Sequence, residues 1–347
     1  MTPLGYRTLM TDHTARTDGR LLGATKLPVS PLGFGLAALG RPEYIHLARD
    51  ADLGADRSVR EMERRAHDVL DEAWRLGVRY VDTARSYGRA EAFLGAWLTS
   101  RRIDPRDVVV GSKWGYTYTA NWQVDAETHE IKDHDLATFE RQLPESRAHL
   151  GEHLDLYQVH SLTLESGALD RPRLLESLAR LKGAGTPIGF STSGPDGART
   201  IERALGVCVD GVRLFDAVQA TWNPLEPSAT RALEAAHADG VGVILKETLA
   251  NGRLSKHGAS TLAPATETRL RQQAARLSTT LDGFALAAAL ARPWADVVLS
   301  GAATVSHVAS NVAALSVAWD DEAERALVAS AEGASEYWQR RAELPWS

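Results

Sequence analysis

Four side chains able to move or steer a proton follow short apolar runs in this sequence. Asp82 closes Val78–Val81, Tyr87 lies five residues further on, Lys113 follows Val108–Gly111 and Ser112, and His160 follows Leu154–Val159. A phenol is a weak acid with an ordinary pKa of about 10, but a neighbouring ammonium stabilises the phenolate and lowers that value. Lys113 can supply the ammonium, Asp82 can pair with Lys113 and hold it in place, and His160 can hydrogen-bond a substrate oxygen. Together they form an acid–base device that protonates an oxygen while the attached carbon receives a hydride. Singly, each has an ordinary reading: a loop cap, a surface phenol, a solvated charge, a satisfied histidine. Placement of all four at or just beyond strand ends favours chemistry.

Bringing them to one mouth requires parallel strands, and the sequence supplies the alternation. Val29–Ala38 reads as a first strand, followed by a charged insertion, Arg41–Asp56. A helix then starts at Ser58, with Glu61 three residues on as a capping box, and keeps its period through Met62, Ala66, Val69, Ala73 and Leu76 until Gly77. Further strands read at 188–190, 217–219, 241–245 and 297–299, and a helix after Pro172 carries Leu174, Leu175, Leu178 and Leu181 on one side. Strand ends at 82, 113, 160, 191, 219, 246 and 300 are 31, 47, 31, 28, 27 and 54 residues apart, one strand–helix unit each with two larger insertions. Eight such units predict an α/β fold, a single-domain (β/α)8 TIM barrel with extended loops. A doubly wound open sheet would place G-x-G-x-x-G after the first strand, and LGFGLAALG lacks that spacing.

The segments VRYVDTARSYG, VVVGSKWG and LDLYQVHS resemble the aldo-keto reductase superfamily, whose catalytic Asp, Tyr, Lys and His occur in this order. The resemblance runs from about Leu32 to Ala318. It implies that Tyr87 is the general acid in reduction and base in oxidation, that Lys113 and Asp82 tune it, and that His160 orients a carbonyl.

The same resemblance implies a nicotinamide cofactor, NADP(H) or NAD(H), and a set of contacts. In IGFSTSG, Ser191 falls beside the nicotinamide carboxamide and Thr192 stands where the family has Asn. In VQATWNPLEP, Gln219 falls on the carboxamide, Trp222 replaces the ring that stacks on the nicotinamide, and Asn223 keeps its place. In LSGAATVSHVASNVAAL, Gly301, Thr304, His307 and Asn311 fall where phosphates and adenine are held. Many family members pair the 2′-phosphate of NADP with a cation where this chain has Ala303.

The long insertion after Lys113 carries Trp114, Tyr116, Tyr118 and Trp122, which read either as a ring-stacking substrate pocket or as packing of the insertion onto the barrel. An aryl aldehyde, a ketone or a sugar fits such a wall. Tyr337, Trp338 and Trp346 read as the anchor of a C-terminal tail, residues 336–347, after a barrel over 26–335 and a polar, disordered leader over 1–25. Lys246, also at a strand end, reads as solvated or paired with Glu247.

A net charge of −6 and the lack of a dense basic stripe argue against nucleic acid as a partner. The longest nearly unbroken apolar run, Phe284–Ala291, is too short to span a bilayer, no secretory apolar region is visible, and one cysteine, Cys208, fits a reducing compartment; a cytoplasmic protein is expected. His129, His134, His149 and His153 lack metal-ligand spacing, so no metal is assigned. The expected partner is a small carbonyl or alcohol. Two other classes remain open: a Schiff-base lyase using Lys113 or Lys246, and a cofactor-sensing module with little turnover.

Overall fold

In the computed structural model, residues 19–47, 52–256 and 258–345 are described. The barrel strands are β1 (Leu32–Gly35), β2 (Tyr80–Asp82), β3 (Val109–Trp114), β6 (Leu154–Leu162), β7 (Ile188–Thr192), β10 (Ala217–Thr221), β11 (Gly242–Lys246) and β12 (Val297–Ser300). All pair in parallel, and β1 bonds both β2 and β12, so the sheet closes into a (β/α)8 barrel. Two hairpins stand outside it: β4 (Tyr116–Tyr118) with β5 (Glu130–Lys132), and β8 (Cys208–Val209) with β9 (Val212–Arg213). Among the described residues no helix is long and apolar enough to cross a membrane.

The strands' period of two sorts the side chains. Tyr80, Val109, Leu156, Ala217, Ile244, Val297 and Leu299 form an inner apolar cluster. Alternate residues such as Val110, Tyr157, Phe190, Val218, Val243 and Val298 join the strand–helix layer outside. Two residues beyond the inner apolar layer the same parity turns Asp82, Gln158, Gln219 and Lys246 toward the barrel axis. Stacked layers of this kind, crowned by polar groups at the C-terminal face, are what a (β/α)8 barrel offers chemistry.

The floor of the barrel corrects the expected leader. Residues 1–18 lie outside the described residues, but Leu22 is fully buried in the inner cluster with Val29, and Leu21 bridges Pro28. Arg20 donates to Ala295 O at 2.8 Å, and Gly23 N to Asp296 Oδ2 at 3.1 Å. Residues 20–25 therefore plug the barrel, covering an apolar base that water would otherwise wet.

Helices α1 (Val59–Arg75), α2 (Ala90–Arg101), α3 (Leu136–Leu150), α4 (Pro172–Gly183), α5 (Gly197–Leu205) and α6 (Thr230–Ala238) follow their strands. Ser58 caps α1 by accepting from Glu61 N at 3.3 Å, but the reciprocal half of the capping box is not made. The Glu61 carboxylate is taken instead by Arg64, at 2.6 and 2.9 Å, a charge-assisted pair that outcompetes a backbone amide. The first strand is shorter than read, ending at Gly35. The two insertions are the β4–β5 hairpin after β3 and the paired helices α7 (Pro264–Arg276) and α8 (Leu281–Leu290) after β11.

After β12 come α9 (Val305–Ala313), α10 (Asp321–Val328) and α11 (Ala334–Ala342). The last is no loose tail. Tyr337 is buried with Leu225, Leu254 and Phe284, and its hydroxyl accepts from Asn223 Nδ2 at 3.0 Å. Trp338 packs on Tyr337, as an anchor should; Trp346 lies outside the described residues.

Candidate active site

Asp82, Tyr87, His160 and Gln219 line one cavity at the C-terminal mouth of the barrel, with Lys113 fully buried beneath it. Lys113 Nζ donates to Asp82 Oδ1 and to Thr83 O (2.8 Å). Asp82 Oδ2 also accepts from Gln219 Nε2 at 2.8 Å and Gln158 Nε2 at 3.4 Å. The ammonium lies 4.8 Å from the centre of the Tyr87 ring, and that ring meets the His160 imidazole edge-on at 5.4 Å. The four residues named from the sequence converge.

Tyr87 is held in place by two glycines. A Cβ on Gly40 would lie 2.2 Å from Tyr87 O, and one on Gly88, at φ +60, would lie 2.5 Å from Gly40 O. Only glycine allows this approach, which Arg89 N seals by donating to Gly40 O at 2.7 Å. The buried Glu91 carboxylate ties the same loop to its neighbours, accepting from Ser112 Oγ at 2.5 Å, Ser146 Oγ at 2.7 Å and Arg85.

Electrostatics differ from expectation at one point. Burial first, and then the Asp82 carboxylate, push the Tyr87 phenol well above its ordinary pKa, with Arg41 pulling the other way. Asp82, which pairs with Lys113, thus weighs on the phenol in the direction opposite to the one expected of the ammonium. Burial, then Lys113 and Lys246, hold His160 well below the usual imidazole range, so it is neutral at physiological pH. Its Nδ1 lies 3.4 Å from Ser86 Oγ.

The residues assigned to a cofactor divide. Gly301 and Asn311 line the tetrad's cavity and also a second recess that continues from it, sharing Ala38, His46 and Leu249. His307 lines that outer recess, and Thr304 caps α9, accepting from His307 N at 3.2 Å. Asn311 Nδ2 donates to Ser300 Oγ at 2.7 Å. Ser191 and Thr192 are buried in β7, where Ser191 Oγ accepts from Ser161 N at 2.8 Å and so braces the residue after His160.

Trp222 and Asn223 are not where the resemblance put them. Trp222 packs edge-on against Trp294 at 5.9 Å in the outer layer, and its Nε1 donates to Thr230 Oγ1 at 2.9 Å. Strand parity explains it: Gln219 and Thr221 face inward, so residue 222 faces out. Asn223 closes a turn, its Oδ1 accepting from Leu225 N and Glu226 N, while its Nδ2 reaches Glu247 O and Tyr337.

The aromatic wall also corrects. Trp114 is fully buried between Phe139 (5.2 Å) and His134 (5.9 Å), outward by the same parity. Trp122 packs on Phe93 and donates from Nε1 to Arg57 O; Tyr118 accepts from Trp122 N and donates to Glu43 Oε2 at 3.5 Å. These three pack the insertion. Tyr116 alone reaches the site, 4.9 Å from the His160 ring, with burial pushing its phenol up to about 12.

Beside Tyr44, a charged row lines the cavity, which the sequence reading missed. Arg41 donates to Glu130 Oε2 at 2.8 Å and Ser86 O at 3.0 Å. Arg341, from α11, grips Glu247 through Nε at 2.9 and 3.1 Å. Lys246 pairs with Glu247 at 3.7 Å, donates to Thr221 Oγ1 at 2.9 Å, and is pulled down to about 8 by burial. It is paired, as expected, but not solvated.

The loop after β11 is strained at three non-glycine residues. Glu247, Ala250 and Asn251 all hold positive φ, a conformation that costs non-glycine residues energy and persists where function demands it. Thr248 Oγ1 and Asn251 Oδ1 are buried in residues that line the cavity, and have no hydrogen-bond partner among the described residues. Buried acceptors without partners are costly, and the hydroxyls and amide of a dinucleotide fit them. Among the described residues no group of His, Cys, Asp and Glu could hold a metal.

Comparison with known proteins agrees with this geometry. Residues 31–332 match the Aldo/keto reductase family. The chain is 27% identical over 320 residues to L-galactose dehydrogenase of Arabidopsis thaliana, covering 85% of this chain and 87% of the relative. It is 23% identical over 306 residues to an uncharacterized oxidoreductase of Bacillus subtilis, covering 85% and 90%. Its fold is similar to that of an aldo-keto reductase from Bacillus halodurans in its holo form, with a TM-score of 0.66 at 23% identity, over 91% of this chain and 96% of that one. The match spans all eight barrel strands, and the chain belongs to the aldo/keto reductase family of oxidoreductases.

Proposed function

We propose that the protein interconverts a carbonyl and its alcohol, with Tyr87 as proton donor in reduction and acceptor in oxidation. The observation that carries this is the convergence of Asp82, Tyr87 and His160 in a cavity, with Lys113 beneath them, that opens into a groove along Gly301 and Asn311. When bound, NAD(P)H would supply the hydride in reduction and NAD(P)+ would accept it in oxidation. Thr248 and Asn251 would hold the dinucleotide, along with Gly301 and Asn311. His160, neutral and edge-on to Tyr87, offers a hydrogen bond to the same substrate oxygen, and Asp82 keeps Lys113 oriented beneath the phenol.

The charged row supports a hydroxylated substrate over an aryl one, since Arg41, Glu130, Glu247 and Arg341 can exchange hydrogen bonds with hydroxyl groups. A relative named for galactose is in keeping with a sugar or sugar-like alcohol. Lys113 is an unsuitable Schiff-base nucleophile while Asp82 and Thr83 O hold its ammonium.

The test is a panel of aldehydes, ketones and sugars followed through nicotinamide absorbance. Tyr87→Phe is expected to lower kcat by about 10²–10⁴, the range of a positioned general acid, with dinucleotide affinity unchanged. Turnover undiminished in Tyr87→Phe, or substrate trapped on Lys246 by borohydride without any nucleotide, would refute the reading.

A further inference from the structure

The outer recess carries a carboxylate beside Ala303 and His307. Asp52, from the insertion between β1 and α1, lines the recess with Ala302, Ala303 and His307. Its Oδ1 lies 3.7 Å from His307 Nε2, and the side chain is mostly buried. The first turn of α9 below it runs Val305, Ser306, His307 after the cap Thr304, so neither Lys nor Arg faces Asp52 from that helix.

We infer that Asp52 makes this protein select NAD(H) over NADP(H). The inference rests on the proposed dinucleotide reading of the groove. A ribose carrying a free 2′-hydroxyl donates a hydrogen bond to a carboxylate. A 2′-phosphate offers only acceptors and negative charge, so Asp52 repels it and Ala303 gives it no counter-ion.

Two cations do line the recess, on the wall of α7 and the loop before it. Lys256 is exposed, and Arg271 is about half exposed and bound to Glu267 Oε1 at 2.8 Å. Solvent screening weakens both. Their charge serves the diphosphate, which the two dinucleotides share, and so does not discriminate. Asp282, the other carboxylate of the recess, accepts from Ser310 Oγ at 3.2 Å and adds to the negative side.

The test is binding, without turnover. Protein fluorescence titrated with NADH and with NADPH should give a Kd ratio of about tenfold or more in favour of NADH, a modest yield for one carboxylate close to a dianion. The adenosine end is isolated by competition: 5′-AMP should displace NADH at lower concentration than 2′,5′-ADP. Asp52→Ser should weaken NADH and narrow the ratio, and Asp52→Ser with Ala303→Arg should reverse it, with circular dichroism confirming the fold of each. NADPH bound as tightly as NADH by the unaltered protein overturns the assignment while leaving the proposed reaction standing. Failure of both dinucleotides to bind overturns the two together.

Discussion

In the proposed reaction Tyr87 holds the proton that is transferred, and its surroundings set when it can let go. Burial and Asp82 raise the phenol well above about 10, so the acid form is fully present across neutral pH and is lost only as pH climbs through the raised value. Reduction should therefore show flat kcat/KM through neutrality and fall on the alkaline side, while oxidation, which needs the phenolate, should climb with pH. His160 is depressed instead, so it stays neutral as pH drops through about 6.5 and neither direction should break there. pH profiles of both directions check this, and a limb near that value in reduction would contradict the neutral imidazole. The tetrad was legible because its members follow apolar runs in a fixed order. Trp222 and Trp114 were misread because identity was weighed over parity: counting twos from Gln219 and from Lys113 turns both rings outward. Lys246, counted from Ile244, points in.

Elements position what residues perform. The loop after β2 presents Tyr87 only because Gly40 and Gly88 let two backbones touch. Gly40→Ala should push the loop away, lowering kcat/KM by roughly 10–100-fold, as displacements near 1 Å do, while costing about 1–3 kcal/mol of stability. Steady-state rates beside urea denaturation separate the two effects. The β4–β5 hairpin was invisible in sequence, since its three-residue strands lie within a polar insertion too short for any period to emerge. Only Tyr116 of its aromatics faces the site, because the other rings bury the hairpin's own contact with the barrel. The charged row could not be read either. Arg41, Glu130, Glu247 and Arg341 come from four separated segments, and nothing local announces that Arg41 meets Glu130 or that Arg341 meets Glu247.

At the scale of the whole molecule, the strand–helix cadence was enough to predict the closed barrel, and the described segments flanking it on both sides prove to belong to it. Residues 20–25 close the floor, and α11 completes a wall of the cavity. Among the described residues, Arg341→Ala would leave the buried Glu247 carboxylate to Lys246 and Thr221, and should cost about 3 kcal/mol, the lower range for breaking a buried pair. Urea denaturation measures that loss. The Michaelis constant for a hydroxylated substrate should rise with it.

Ring closure joins the first strand to the eighth, Leu32 beside Val298. A chain leaving the ribosome must therefore carry β1 with one flank unsatisfied until nearly three hundred residues have emerged. Through that interval its open edge can recruit any other extended segment. Synthesis, more than the finished barrel, is the stage at which this protein is exposed to aggregation, and the stage at which holding chaperones have something to grasp.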